Sequence, residues 1–172
     1  MTEARIHRRI IRNRKKNRTP LSKLRTSDAV KTVVNHPRRL EELLKMLEDK
    51  DRIVRGRAAV ALTRLSESHP ARLLRVSLWL KEALGDDSAY VRWHLLYTLG
   101  MVGAKFPSLS RNFMEDIVCH LEDDNRICRM MAVKAIGQVG SRKPQIIEEC
   151  FKTLKKEIPA AIARNMRRSR LP

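Results

Sequence analysis

A chain of 172 residues, 42% hydrophobic and 33% charged, is long enough for one compact domain with a packed core. Its longest apolar run, from Val91 to Val102, is broken by Arg92, His94 and Gly100 and falls short of the roughly 20 residues that a membrane span needs. The net charge of +18 sits at the ends: residues 1–25 hold ten Lys/Arg against Glu3, residues 152–172 hold seven against Glu157, and residues 26–151 set twenty against seventeen acids.

The N-terminal stretch from Arg5 to Arg18 carries eight cations and no acid. Arg8, Arg9, Arg12, Arg14, Lys15, Lys16 and Arg18 are therefore candidate contacts to a polyanion, since such blocks are either solvated tails or nucleic-acid arms. If residues 3–17 are helical, Ile6, Ile10 and Ile11 share one side of that helix. The basic start has no following apolar stretch, so no secretory signal is expected. Residues 28–35 read as the second helix of a degenerate helical pair, with Ser27 as its N-cap.

From residue 38 onward an internal repeat dominates. Leu47-Glu-Asp-Lys-Asp-Arg-Ile-Val-Arg55, Leu84-Gly-Asp-Asp-Ser-Ala-Tyr-Val-Arg92 and Leu121-Glu-Asp-Asp-Asn-Arg-Ile-Cys-Arg129 align without a gap at steps of 37, and each runs on to a proline, Pro70, Pro107 or Pro144. Each proline suits the first turn of a helix and pushes its predecessor out of the α region. The first helices are expected to bury Leu73, Leu74, Leu78 and Leu80, then Leu109, Phe113, Ile117 and Leu121, then Ile146, Ile147, Phe151 and Leu154. An acidic turn follows, and the second helices repeat the stripes Val54-Ala58-Leu62-Leu65, Val91-Leu95-Leu99-Val102 and Cys128-Ala132-Ile136-Val139. Gly100, Gly103, Gly137 and Gly140 fall late in these helices, where a small residue lets helices approach or ends one; they lack the lysine-threonine ending of a phosphate loop.

The recurring Leu-x-Asp…Val-Arg…Ala…Leu pattern resembles HEAT repeats, in particular the short type also found in phycobilisome lyases, over about residues 38–157. The resemblance implies an all-α fold, a right-handed α-solenoid of helical hairpins with the second helices lining a concave face. The step of 37 is shorter than the roughly 40–47 of most such arrays, and the signature of tetratricopeptide repeats, at about 34, is missing. The expected organisation is a basic segment at 1–27, first helix of a degenerate repeat, a solenoid at 28–157 and a basic tail at 158–172, in which 159–168 form a last short helix.

By the same resemblance Arg55, Arg92 and Arg129 pair with Asp49, Asp86 and Asp123 in an inter-repeat ladder, a scaffold role favoured over direct phosphate contact. A binding surface is sought instead where the units disagree: Gly56/Trp93/Met130, Arg57/His94/Met131, Val60/Tyr97/Lys134 and Arg64/Met101/Gln138. These columns give an aromatic patch of Trp93, His94, Tyr97 and Met101 flanked by Arg57, Arg64 and Lys134, able to stack a base or grip a peptide, unless Trp93 and Tyr97 pack against a neighbouring unit. At the C-terminus Arg164, Arg167, Arg168 and Arg170 form a second basic cluster.

Cys119, Cys128 and Cys150 lack CxxC spacing and read as small core hydrophobes in a reducing, cytoplasmic compartment. His7, His36, His69, His94 and His120 have no metal-ligand spacing, so neither a metal nor a cofactor is expected. The reading is a non-catalytic protein that binds DNA or RNA backbone; the alternatives are a protein-interaction scaffold and, more remotely, an enzyme like the DNA glycosylases of similar repeat type. No nucleophile–base or paired-carboxylate constellation stands out from the repeat.

Overall fold

The computed structural model describes residues 19–152, all-helical among the described residues with no strand. The helices are α1 (Thr26–Asn35), α2 (Leu40–Lys45), α3 (Arg52–Ser68), α4 (Ser77–Glu82), α5 (Ala89–Lys105), α6 (Pro107–Ser110), α7 (Met114–Cys119), α8 (Arg126–Gly140) and α9 (144–152). None is long and apolar enough to cross a membrane. The expected helices at 3–17 and 159–168, Leu154, and the boundary between 157 and 158 lie outside the described residues.

The long helices α3, α5 and α8 begin at Arg52, Ala89 and Arg126, after the acidic turns. Asp51 caps α3 by accepting from Ile53 N at 2.8 Å, and Asn125 caps α8 through Ile127 N at 2.9 Å. Helices α1, α3 and α5 end at corners of one shape: His36 (φ −131°, ψ 81°), His69 (φ −141°, ψ 58°) and Phe106 (φ −129°, ψ 72°) each precede a proline, which excludes the α region for them. The chain then turns back along a shorter helical segment to the next acidic turn.

These return segments are less regular than the spacing implies. Pro70–Val76 is 3₁₀ before α4, and Ala83–Gly85 is 3₁₀ after it; Met46–Glu48 and His120–Glu122 close the neighbouring segments in the same way. A 3₁₀ turn advances the side chains by 120° rather than 100°, so Leu78 is swung outward and is 52% exposed, against the expectation of burial. Phe151 is also exposed, and Cys119 lies on the surface while Cys128 and Cys150 are buried. The start of α1 is likewise corrected: Thr26 opens it, Arg25 is the N-cap position, and Ser27 lies in the first turn.

The core follows the stripes of the long helices. Ala58, Leu62, Leu65, Val91, Leu95, Leu99, Val102, Cys128, Ala132 and Val139 are fully buried, each large aliphatic stabilising by about 1.5–3 kcal/mol. α1, α3, α5 and α8 pack side by side in that order. Close approach of α5 to α8 depends on two glycines: a Cβ on Gly100 would lie 2.8 Å from Ala135 Cα, and one on Gly103 would lie 2.7 Å from Val139 Cγ2. Polar side chains join the return segments, with Trp79 Nε1 donating to Glu48 at 3.1 Å, Lys81 paired to Asp116 at 3.2 Å and Arg111 paired to Glu149 at 3.0 Å.

Candidate nucleic-acid interface

The arginines in register are committed to the stack. Arg55 donates through Nε to Asp86 of the following turn at 2.7 Å and through Nη2 to Asp87, while its Nη1 donates to the carbonyls of Asp49 and Lys50. Arg92 repeats this one hairpin later, to Asp123 at 2.8 Å and Asp124 at 2.6 Å, and to the carbonyls of Asp86 and Asp87. Hydrogen bonding to Asp123 raises the Arg92 pKa, and the Asp123 carboxyl is held well below the usual carboxylate range, first by its bonds to Arg92. Arg129 donates to the carbonyls of Asp123 and Asp124, and among the described residues it meets no carboxylate.

Flanking the buried stripes, positions i, i+4, i+7 and i+11 place Ile53, Arg57, Val60 and Arg64 on one face of α3, Tyr90, His94, Tyr97 and Met101 on one face of α5, and Ile127, Met131, Lys134 and Gln138 on one face of α8. Several expected contacts meet there. Lys134 Nζ sits 4.6 Å from the centroid of the Tyr97 ring, and Gln138 Nε2 donates to Met101 Sδ at 3.3 Å. Burial, with Glu67 close by, raises the Tyr97 phenol above its ordinary pKa. Trp93 is half-buried and Arg64 is exposed.

His94 must be corrected. It is 6% exposed, its Nδ1 lies 2.9 Å from Thr63 Oγ1 on α3, and the Trp93 ring stacks on it at 3.6 Å. Burial lowers its pKa to about 4, so at neutral pH it is an uncharged packing group between α3 and α5 rather than a surface ligand. Arg57 is half-buried and donates to the carbonyls of Ser22 and Leu24, away from the Tyr97 patch. Those carbonyls leave its charge uncancelled. Arg8, Arg9, Arg12, Arg14, Lys15, Lys16, Arg18, Arg164, Arg167 and Arg168 lie outside the described residues.

Other residues join the face that the sequence reading passed over. Ile53, Tyr90 and Ile127 are 66%, 50% and 49% exposed, and Arg52 and Arg126, one residue before Ile53 and Ile127, are exposed beside them. They sit inside the aligned segments, outside the columns from which the candidate surface is drawn. Charge is also sorted between the helices: Glu67 is the one acidic residue within α3, α5 and α8, against Arg52, Arg57, Arg64, Lys105, Arg126 and Lys134 beyond the ladder arginines. Acids gather instead on the return helices, as Glu41, Glu42, Glu82, Glu115 and Asp116, and in the turns, where Arg55 and Arg92 each pair with two of them.

No family model matches the chain, and no curated protein matches it in sequence.

Proposed function

We propose that the chain is a right-handed α-solenoid of HEAT-like hairpins with a 37-residue repeat, and that it binds the backbone of DNA or RNA without catalysing a reaction. The observation that carries this reading is the charge sorting. The long helices present cations with a single acid among them, next to exposed and half-exposed aromatic rings at Tyr90, Trp93 and Tyr97. Phosphates need cations spaced along a surface, and bases need π-faces beside them. The basic stretches at 5–18 and 164–170 extend the same charge in sequence. A reducing, intracellular setting is part of the proposal, supported by the odd number of cysteines.

Fluorescence anisotropy with a labelled oligonucleotide at 50 mM salt tests it. Arg64→Ala and Lys134→Ala are each expected to weaken binding and to lower the salt slope by about 1. Unchanged affinity in both variants would leave the long helices without a part in binding.

One observation favours a second reading, a protein-interaction scaffold. Ile53, Ile127, Met130 and Val133 are all at least 49% exposed on α3 and α8, and aliphatic side chains grip a peptide better than a phosphate. Under that reading oligonucleotide does not compete with the partner.

A further inference from the structure

Between α3 and the start of α5 lies a pocket of about 520 Å³, bounded by Arg52, Ile53, Gly56, Arg57, Val60 and Tyr90. Its floor depends on Gly56. A Cβ there would come within 3.2 Å of the Tyr90 ring, so the missing side chain is what lets that ring lie against α3. The ring is also held from its own helix, edge-on to Trp93 at 5.5 Å and to His94 at 4.8 Å. Tyr90 nevertheless remains 50% exposed. It is thus an aromatic platform, fixed by packing and open to solvent.

Two arginines, Arg52 and Arg57, line the pocket beside the platform. Arg52 is exposed, and Arg57 is held by the carbonyls of Ser22 and Leu24, which fix its guanidinium without neutralising it. In the flanking turns Asp51 accepts from Ile53 N at 2.8 Å, and Asp87 accepts from Arg55. A planar ring joined to an anion by a short linker matches this set of groups, and the repeating unit of a single-stranded nucleic acid has that form. An aromatic peptide side chain would stack equally well but would leave both arginines without an anion.

We infer that this pocket takes one unpaired nucleotide, its base stacked on Tyr90 and its phosphate beside Arg52 and Arg57. The inference rests on the nucleic-acid reading of the long helices and adds to it a preference for single strands with bases over bare backbone.

The test uses the full chain and three fluorescein-labelled probes of equal length: oligothymidylate, the same strand made wholly of abasic sites, and a duplex. Oligothymidylate is expected to bind more tightly than the abasic strand. Tyr90→Ala is expected to weaken the oligothymidylate complex about 5- to 150-fold, the range for loss of one stacked base, and to leave the abasic complex unchanged. Tyr90→Phe keeps the ring and is expected to bind as the wild type does, with circular dichroism reporting that each variant folds. Equal affinity for the base-bearing and abasic strands, or indifference of both to Tyr90→Ala, would overturn the pocket while leaving backbone binding intact. Absence of binding to all three probes would overturn the nucleic-acid reading itself. Tyr90-dependent binding of N-acetyltryptophanamide without any oligonucleotide binding would assign the pocket to a peptide and overturn the proposal.

Discussion

Arg92 and Asp123, thirty-one residues apart, meet side-on: Nε and Nη2 of the arginine each lie 2.8 Å from a carboxylate oxygen of the aspartate. The same carboxylate accepts from Asn125 N at 2.8 Å, so one side chain shapes its own turn and receives the arginine of the preceding hairpin. Asp86 does likewise, with Ser88 N and Arg55. The short arm of aspartate permits both bonds, whereas glutamate would carry the carboxylate past the turn.

Replacing Asp123 by alanine strips a half-buried guanidinium of its bidentate partner and removes the turn bond. The expected loss is about 3–5 kcal/mol, read as a lower midpoint in urea. Because the native state holds the Asp123 carboxyl below its unfolded pKa, its contribution is full above about pH 4 and is lost as pH falls further. Arg129→Ala should cost much less, since its described partners are two carbonyls.

His94 gives a second pH dependence at milder acidity. Its pKa is about 4 when folded against an ordinary 6.5, so between those values the unfolded chain takes up a proton that the native state refuses. Stability is expected to be full above pH 6.5, to fall as pH drops toward 4, and to lose at most ~3 kcal/mol. Thermal midpoints at pH 7.5 and 5 for the wild type and for His94→Met, the residue found in register at Met131, check this. The variant should show the smaller difference.

Two glycines in register separate packing from propensity. Gly100→Ala drives a Cβ into Ala135 at 2.8 Å and is expected to destabilise by about 1–3 kcal/mol. At Gly137 a Cβ meets nothing within 4 Å, so Gly137→Ala should stabilise α8 by roughly 0.5–1 kcal/mol through helix propensity. Equilibrium unfolding of both variants should give opposite signs.

The recurrence of Leu, Asp, Arg and Pro made the long helices, their buried stripes and the aspartate–arginine pairs legible in the sequence. Those positions are constrained by neighbours that themselves recur, so periodicity and structure report the same thing. Recurrence misled in two places. Tyr90 lies inside an aligned segment and falls outside the columns from which the candidate surface is drawn, although it and its equivalents Ile53 and Ile127 are exposed; alignment marks equivalent positions, not buried ones. His94 differs from Arg57 and Met131 and was read as free for ligand, yet it differs because Thr63 and Thr98 form a buried polar cluster around it. The 3₁₀ breaks that expose Leu78 left no mark in the apolar spacing, because a turn of 3₁₀ and a turn of α can carry the same leucines.

The most direct measurement is a titration of the full chain with a single-stranded oligonucleotide across 50 to 200 mM salt. Contact with about six phosphates releases counterions and should weaken binding on the order of 100-fold or more over that range. No binding at 50 mM, or an affinity indifferent to salt, would contradict a phosphate-binding role for the cationic long helices.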